Sequence, residues 1–490
     1  MIGIHSNLLL VFDDRECASG EVFNIVGSNR FGDITVKYRS LYEYFCEALP
    51  RWATEFLVRI RSDRDLADLR SKIEVSGKGT AACVVASRAG FVNADLLTQL
   101  IEQLPYAETD FTDRLYQPLL VFFRDAHSLV DRWPDFIASP IHNWDLAWRE
   151  NRCFQPLVPL DLGEIREFLY FSSCFAATRH FNELQNDMYH FTKRSRDKRK
   201  MQAEYTFYSL VPERMRPWLI ETFDFQDEGE QASYKMMKYY LANAALQWVH
   251  GSFDSIAFTS FIDRLLFFVA DRPVRLTDRQ EAAAITRDLF VEKPKKRIFE
   301  FLSMNEGRRI YRFAKRTTLE MDLRILLERY LDLYKSREEY FSYSEAVIGH
   351  GDLCFSNILY DKQRYLLKLI DPKGALSEEA LWTHPIYDFC KISHSVLGDY
   401  DFINYGLYKV ESAKNNDFIL KFPHTNHEVL KSIFLSRIRE MGYDIRIIRL
   451  AEASLFLSML PLHIDFPGKV VAFILKARQI LDELEFGYQV

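Results

Sequence analysis

The chain has 490 residues, of which 48% are hydrophobic and 27% charged, the balance of an ordinary globular protein with room for about two to four domains. Its net charge of −6 argues against a protein that coats nucleic acid, and seven scattered cysteines with no C-x-x-C pair argue against a disulfide framework or a zinc site. The longest apolar stretches, such as 265–270 and 455–462, fall short of the roughly 20 residues of a membrane span, and no leader-like start is visible, so the expected location is cytoplasmic.

Residues 1–160 read as an α/β domain. Strands are predicted at Leu8–Phe12, Glu55–Ile60, Ala81–Ala86 and Leu119–Phe123. Helices are predicted at Arg39–Leu49, at Asp63–Ile73, and after a cap at Asn93 or Asp95. This alternation points to a parallel or mixed sheet. Val26-Gly27-Ser28-Asn29-Arg30-Phe31, with Lys37 behind it, resembles the glycine-rich loop, Arg and Lys of sugar nucleotidyltransferase and GT-A-type domains. The loop has a single Gly before its Arg and does not follow a first strand at the N-terminus. That departure favours a degenerate domain, serving as scaffold or acceptor platform, over an active nucleotidyltransferase.

From about 161 the pattern changes. Strand-like runs at Ala177–Glu183 and Met188–Arg194 flank the turn 184–187, and Ser195 or Asp197 opens a helix to about Leu210. Met201, Tyr205 and Tyr208 mark the expected buried face, and Glu204 shares it. A carboxylate turned inward needs a partner. Lys193, at the end of the second run, is the natural one, with Lys198 and Lys200 as alternatives. Ala232–Tyr240 reads as a further strand. Residues 241–346 are mostly helical by period, with a helix-ending turn at His250-Gly251. The basic run Arg308, Arg309, Arg312, Lys315 and Arg316 reads as a solvated face, with a site for an anionic acceptor as the alternative.

Val347–Ala375 organises the rest. His350, Asp352 and Asn357 form H-x-D-x-x-x-x-N, and two short apolar runs around the polar turn 361–364 predict a β-hairpin that ends on Asp371-Pro372. Phosphoryl transfer requires a carboxylate to orient the acceptor hydroxyl and a cage of hard oxygens to hold Mg²⁺ on the nucleotide phosphates. Asp352 suits the first task; Asn357 and Asp371 suit the second. Cys354, inside the motif, reads as a packing residue. After the motif, Asp388 lies at a helix start, where it is a simple helix-terminal carboxylate or, by its resemblance to the Asp of the D-x-A-K-type segment that follows the metal loop in kinase-like phosphotransferases, a brace for the catalytic loop, and His463 reads as a core histidine.

The order HGDLxxxN and then IDP resembles the aminoglycoside phosphotransferase and choline kinase superfamily, over about 161–490. The resemblance implies an α+β, protein-kinase-like bilobal fold preceded by the α/β domain, with a β-rich N-lobe at 161–240 and a helical C-lobe at 241–490. It also implies a phosphotransferase using ATP, with GTP not excluded, and Mg²⁺. Asp352 is then catalytic, His350 supports the catalytic loop by a hydrogen bond, Lys193 steadied by Glu204 grips the phosphates, and Asn357 with Asp371 holds the metal. No glycine-rich loop precedes Lys193, which leaves the phosphate clamp and the nucleotide open. The implied partner is a small hydroxylated acceptor such as a sugar or amino alcohol, with no nucleic acid. Similar domains belong to bacterial surface-polysaccharide loci, beside nucleotidyltransferase-like domains. The rival readings are a bifunctional nucleotidyltransferase-kinase, a nucleotide-binding scaffold without turnover, and a protein kinase, the last disfavoured by the lack of A-P-E after Asp371.

Overall fold

The computed structural model describes residues 8–77, 79–114, 116–144, 152–153, 159–174, 182–187, 189–317, 321–412, 418–422 and 427–487. The chain divides into two compact units, Met1–Ala177 and Thr178–Val490. The break expected near 160 therefore falls later, because the helix Ile165–Cys174 and the short strand Leu160–Asp161 belong to the first unit. The boundary expected at 240 lies inside the second.

The first unit is built on a mixed six-stranded sheet. Its strands are β1 (Leu8–Asp13), β2 (Leu57–Ile60), β3 (Ala81–Ala86), β4 (Phe111–Thr112), β5 (Leu120–Phe123) and β6 (Arg152–Cys153), in the order β2-β1-β3-β5-β4-β6. β1 pairs in parallel with β2 and β3, while β3 pairs antiparallel with β5. β1 is apolar at nearly every position because both of its faces are covered. Leu8, Leu10 and Phe12 enter one core with Cys83 and Phe122, and Val11 enters the other with Val84 and Phe123. Helices α1 (Leu41–Glu47), α2 (Asp63–Val75) and α3 (Ala94–Gln103) start on side-chain caps from Ser40, Ser62 and Asn93.

The residues that resemble a nucleotide-binding loop are occupied locally. Gly27 ends the helix Gly20–Val26, and the Arg30 guanidinium donates to the carbonyls of Asp14 and Arg15, both at 3.0 Å. Lys37 sits in the left-handed turn of a small hairpin.

The second unit opens with a four-stranded antiparallel sheet. Its strands are β7 (Asn182–Asn186), β8 (His190–Ser195), β9 (Thr222–Glu228) and β10 (Gln231–Met237), in the order β7-β8-β10-β9. Residues 177–181 and Met188 of the expected runs lie outside the described residues. Helix α4 (Lys198–Leu210), capped by Asp197, packs on this sheet. Its buried positions are Met201, Glu204 and Phe207; Tyr205 and Tyr208, expected in the core, are only half-buried, and Tyr205 lies against Phe225 and Tyr234. Strand β9 was not expected from the sequence.

The remainder is mostly helical, with small sheets among the helices. One joins β11 (Val274–Leu276), β12 (Glu345–Ile348) and β15 (Trp382–Thr383); another is the hairpin β13 (Ile358–Asp361) and β14 (Leu366–Leu369), as expected. Helix α5 (Lys293–Ser303) continues from a π-helical turn at Asp288–Glu292. Helices α6 (Tyr387–Val396), α7 (Ile445–Met459) and α8 (Pro467–Phe486) form the buried base, and every residue of α7 from Ile447 to Met459 is buried. Among the described residues no helix is long and apolar enough to cross a membrane.

Candidate active site

Strand β12 delivers the chain to Gly349, and the loop that follows is latched from beneath by α6. Asp388 is fully buried, and its carboxylate accepts the amides of His350 (3.0 Å) and Gly351 (2.8 Å) together with Arg272 Nη1 (2.8 Å). Its side chain thus braces the motif loop and leaves the first turn of its own helix uncapped. The approach demands glycine at 349, where a Cβ would come within 2.7 Å of Thr383 and 3.0 Å of Asp388. Gly351, at φ +77°, turns in a region that other residues adopt at a cost.

His350 is buried. Its Nδ1 accepts the Asp352 amide at 3.3 Å, and burial, opposed by nearby carboxylates, keeps the imidazole below its ordinary pKa. A ring with no exposed surface, bonded to the Asp352 amide, suits holding the loop's shape. Cys354 is also buried, its thiol pushed up to about 12 mainly by burial, which suits packing and not nucleophilic attack.

Asp352 faces outward, a third of its side chain exposed. Asn357 Nδ2 donates to the Asp352 carbonyl (2.9 Å) and to its Oδ2 (3.0 Å), while Lys391 Nζ pairs with Oδ1 at 2.8 Å. Lys391 follows Asp388 by three positions, so one face of α6 supplies both the brace and the cation. The motif alone did not single out Lys391; its spacing from Asp388 was the available signal.

The hairpin β13–β14 returns the chain so that the Ile370 amide bonds to the Asn357 carbonyl at 3.0 Å, which sets Asp371 beside the loop. Asp371 takes a left-handed conformation, φ +55°, a local strain of about 1 kcal/mol for such a residue. Lys193 Nζ bridges Glu204 Oε2 (2.6 Å) and Asp371 Oδ1 (3.0 Å). Tyr234 donates its hydroxyl to the same Glu204 oxygen at 3.0 Å, and Lys200 stands 3.5 Å from the other. Lys193 is therefore the principal partner of Glu204, Lys200 a lesser one, and Lys198 pairs with Asp227 on the sheet. Burial works against the Lys193 charge, but Asp371 and Glu204 outweigh it and hold its pKa above the ordinary value. For Asp371, burial pushes upward, yet Lys193 with Lys200 behind it keeps the carboxyl below its usual range. The six residues singled out from sequence thus gather into two linked groups, Asp352–Asn357–His350 and Lys193–Glu204–Asp371.

Among the described residues no three His, Cys, Asp or Glu side chains cluster as a preformed metal cage. Asp371 offers a carboxylate 39% exposed, and Asn357, with Nδ2 engaged by Asp352, has Oδ1 to offer. Two hard oxygens fit Mg²⁺, which commonly takes one or two protein ligands and completes its shell with waters and substrate phosphates. On the opposite side, Phe191 precedes Lys193 by two on the same face of β8, and Leu359 follows Asn357 by two; both pack partly buried against the cluster of Met201, Tyr234 and Met236. At the β7–β8 turn, the amides of Tyr189 and His190 are both taken by Asp187 Oδ1 (2.7 and 2.6 Å), so neither is directed at a ligand.

Behind the loop, the Phe355 amide bonds to Ser395 Oγ at 3.0 Å, and Ser395 faces the buried Asp401. Burial raises the Asp401 carboxyl to about 7, with Ser395 pulling it down in part. The folded state then holds this proton more tightly than the unfolded chain. The stability it confers is fully present below the ordinary carboxyl range and is lost as pH rises through about 7. Asp401→Asn is expected to raise stability by on the order of 2 kcal/mol at pH 8 and to change little at pH 5. Urea midpoints at the two pH values check this, and equal destabilisation at both would exclude a protonated carboxyl here.

No family model matches the chain, and no curated relative matches it. Among solved structures it is similar to a thermostable mutant of aminoglycoside phosphotransferase APH(4)-Ia in its apo form, at 9% identity and a TM-score of 0.36, over 62% of this chain and 94% of that one. A ternary complex of a thermostable APH(4)-Ia mutant with ADP and hygromycin B gives 8% identity and a TM-score of 0.36, over 62% and 93%. APH(3'')-Id from Streptomyces rimosus ATCC10970, in complex with ADP and streptomycin, gives 12% identity and a TM-score of 0.33, over 59% and 97%. At these scores the likeness carries no part of the assignment that follows, which rests on the side chains.

Proposed function

We propose that the second unit is an ATP- and Mg²⁺-dependent phosphotransferase acting on a hydroxyl of a small molecule. The observation that carries this reading is the Lys193 ammonium held between buried Glu204 and half-exposed Asp371, one hairpin away from Asp352 and Asn357. A stability role alone gives no reason to bury a lysine against two carboxylates and leave one of them open to solvent in a left-handed turn.

In this reading the adenine enters between Phe191 and Leu359, and Lys193 reaches the nucleotide phosphates, kept in position by Glu204. Asn357 Oδ1 and Asp371 would hold Mg²⁺, which would neutralise charge on the phosphate oxygens. Asp352, its carboxylate fixed by Asn357 and Lys391, accepts the hydrogen bond of the acceptor hydroxyl and aims its oxygen at the γ-phosphorus. The new O–P bond forms as the bond from the γ-phosphorus to the bridging oxygen breaks. ADP leaves with that electron pair, and the hydroxyl proton passes to Asp352 and then to solvent. Positioning and fixed charge supply most of the acceleration. Arg30, engaged by backbone carbonyls, gives no support to a nucleotidyl-transfer step in the first unit.

The test is acceptor-dependent ADP release with ATP and Mg²⁺, in wild type and Lys193→Ala. The substitution is expected to weaken ATP binding roughly 10- to 100-fold, the loss of a charge-assisted contact to phosphate. ATP binding by wild type without turnover on any acceptor would replace this reading with a nucleotide-binding scaffold, and no ATP binding would overturn both.

A further inference from the structure

An open cleft of about 590 Å³ lies beside the motif loop, and its lining is cationic: Lys293, Lys295, Lys296 and Arg297 from the start of α5, and Lys373 from beyond Asp371, against two carboxylates. Resting on the phosphotransferase reading above, we propose that this cleft seats the anionic group, a phosphate or carboxylate, of an acceptor whose free hydroxyl is presented to Asp352.

The cleft adjoins the motif loop through Lys373. The Lys373 amide bonds to the His350 carbonyl at 2.9 Å, and the Lys373 stem lies over Gly351 so closely that a Cβ there would meet it at 2.6 Å. Lys373 is thus held against the residue that precedes Asp352. On the far wall, Lys293 Nζ contacts the Tyr387 hydroxyl at 2.7 Å, and Tyr387 opens the helix that carries Lys391, the partner of Asp352. Burial alone would raise the Tyr387 phenol, yet Lys293, with Lys391 and Lys373, brings it below its ordinary value.

Much of this charge is uncommitted. Lys295 stands 3.9 Å from Glu292, and Arg297 is drawn aside to Glu300 at 2.8 Å. Among the described residues no carboxylate forms an ion pair with Lys296 or Lys373. Five cations against two lining carboxylates leave a net repulsion, and an arriving anion relieves it. The wall is also shaped irregularly: the π-helical turn at Asp288–Glu292 immediately precedes the four cations, and such turns inserted into α-helices are frequent at functional sites. A cationic acceptor such as an aminoglycoside or choline would meet repulsion here, so charge in the cleft selects acceptors as well as binding them. The other basic run, 308–316, does not compete for this role: Arg308 donates to the Ser303 carbonyl, Lys315 pairs with Asp322, and Arg309 is exposed.

The experiment has a binding arm and a turnover arm, both on the full chain, with Lys296→Glu, Lys373→Glu, Lys193→Ala and, as a charge control outside the cleft, Arg309→Glu. Inorganic phosphate is titrated by calorimetry at low and at 0.3 M salt. The expected result is binding that weakens with salt, weakens at least 10-fold in Lys296→Glu and Lys373→Glu, and persists in Lys193→Ala and Arg309→Glu. Turnover is compared for glucose 6-phosphate, glucuronate, glucose, choline and kanamycin, the first two separating phosphate from carboxylate as the anion. Turnover on a phosphorylated or carboxylated acceptor, with a KM for that acceptor that rises at least 10-fold in the two cleft variants while the KM for ATP holds, would support the proposal.

Phosphate binding that is absent, or equal in wild type and the cleft variants, overturns the cleft as an anion site. Preferred turnover of glucose, choline or kanamycin, unchanged in the cleft variants, overturns the anionic acceptor and leaves the phosphotransferase standing. Failure of wild type to bind ATP overturns the phosphotransferase and with it the acceptor; the phosphate titration then decides the anion site by itself.

Discussion

Asp352→Ala is expected to lower acceptor-dependent ATP turnover about 10²- to 10⁴-fold, the usual worth of a positioned general base, while ATP still binds. The two halves of this expectation come from different parts of the site. The nucleotide side is organised by Lys193, Glu204 and Asp371, while Asp352 is held by Asn357 and Lys391. The acceptor side depends on Asp352 itself. Removing it also frees Lys391, which would then stand unpaired beside the hydroxyl's approach, and releases Asn357 Nδ2 from one of its two acceptors. Asp352→Asn is a stricter control because it keeps the shape. Its amide nitrogen would face either Asn357 Nδ2 or Lys391 Nζ, both donors, so the variant is expected to lose nearly as much turnover with less disturbance of the loop. Retained melting temperature and ATP affinity, with kcat gone, is the signature sought. Near-wild-type turnover in both variants would remove Asp352 from the reaction.

The residues that gather at this site were legible in the sequence because each sits at a fixed offset from a recognisable turn. The HGDL loop, the hairpin and the IDP step are local, and locality is what spacing encodes. The strand Ala81–Ala86 and the Asn93 and Asp197 caps were legible for the same reason. What escaped was long-range or ambiguous. Strand β9, TFDFQDE, carries three acidic residues and a bulge at Asp224, and reads as loop; as an edge strand it tolerates that charge. On α4, an error of about one residue along the buried face put Tyr208 where Phe207 belongs, since aromatic residues on a helix do not reveal which of them meets the sheet. Lys391 and the cleft lysines at 293–297 are far from the motif in sequence and reach it only through the packing of α6 and the turn before α5. The two-unit boundary moved from 160 to 177 because a short helix after a weak strand carries no sign of which body it joins.

The largest expected loss of stability falls on Asp388. Asp388→Ala removes the acceptor for three donors at once: the amides of His350 and Gly351 and the guanidinium of Arg272. Arg272 is buried, its other nitrogens spent on the carbonyls of Val269 and Pro385, so its charge would be left without a counter-ion. Breaking one side of a buried pair costs about 3–5 kcal/mol, and the orphaned amides add to it. Asp388→Asn separates charge from shape. In one orientation its amide nitrogen opposes His350 N–H and Arg272, in the other Gly351 N–H, so no rotamer satisfies all three. A positioning role further predicts that kcat falls more than the KM for ATP rises, because the brace holds Asp352 and does not touch the nucleotide contacts at Lys193. Urea denaturation with steady-state kinetics on Asp388→Asn and on the double variant Arg272→Met with Asp388→Leu divides the contributions. The double variant removes both charges and should recover much of the stability. If it also recovered kcat, the amides of His350 and Gly351 would need no acceptor beneath them, and the bracing of the loop by Asp388 would have to be given up.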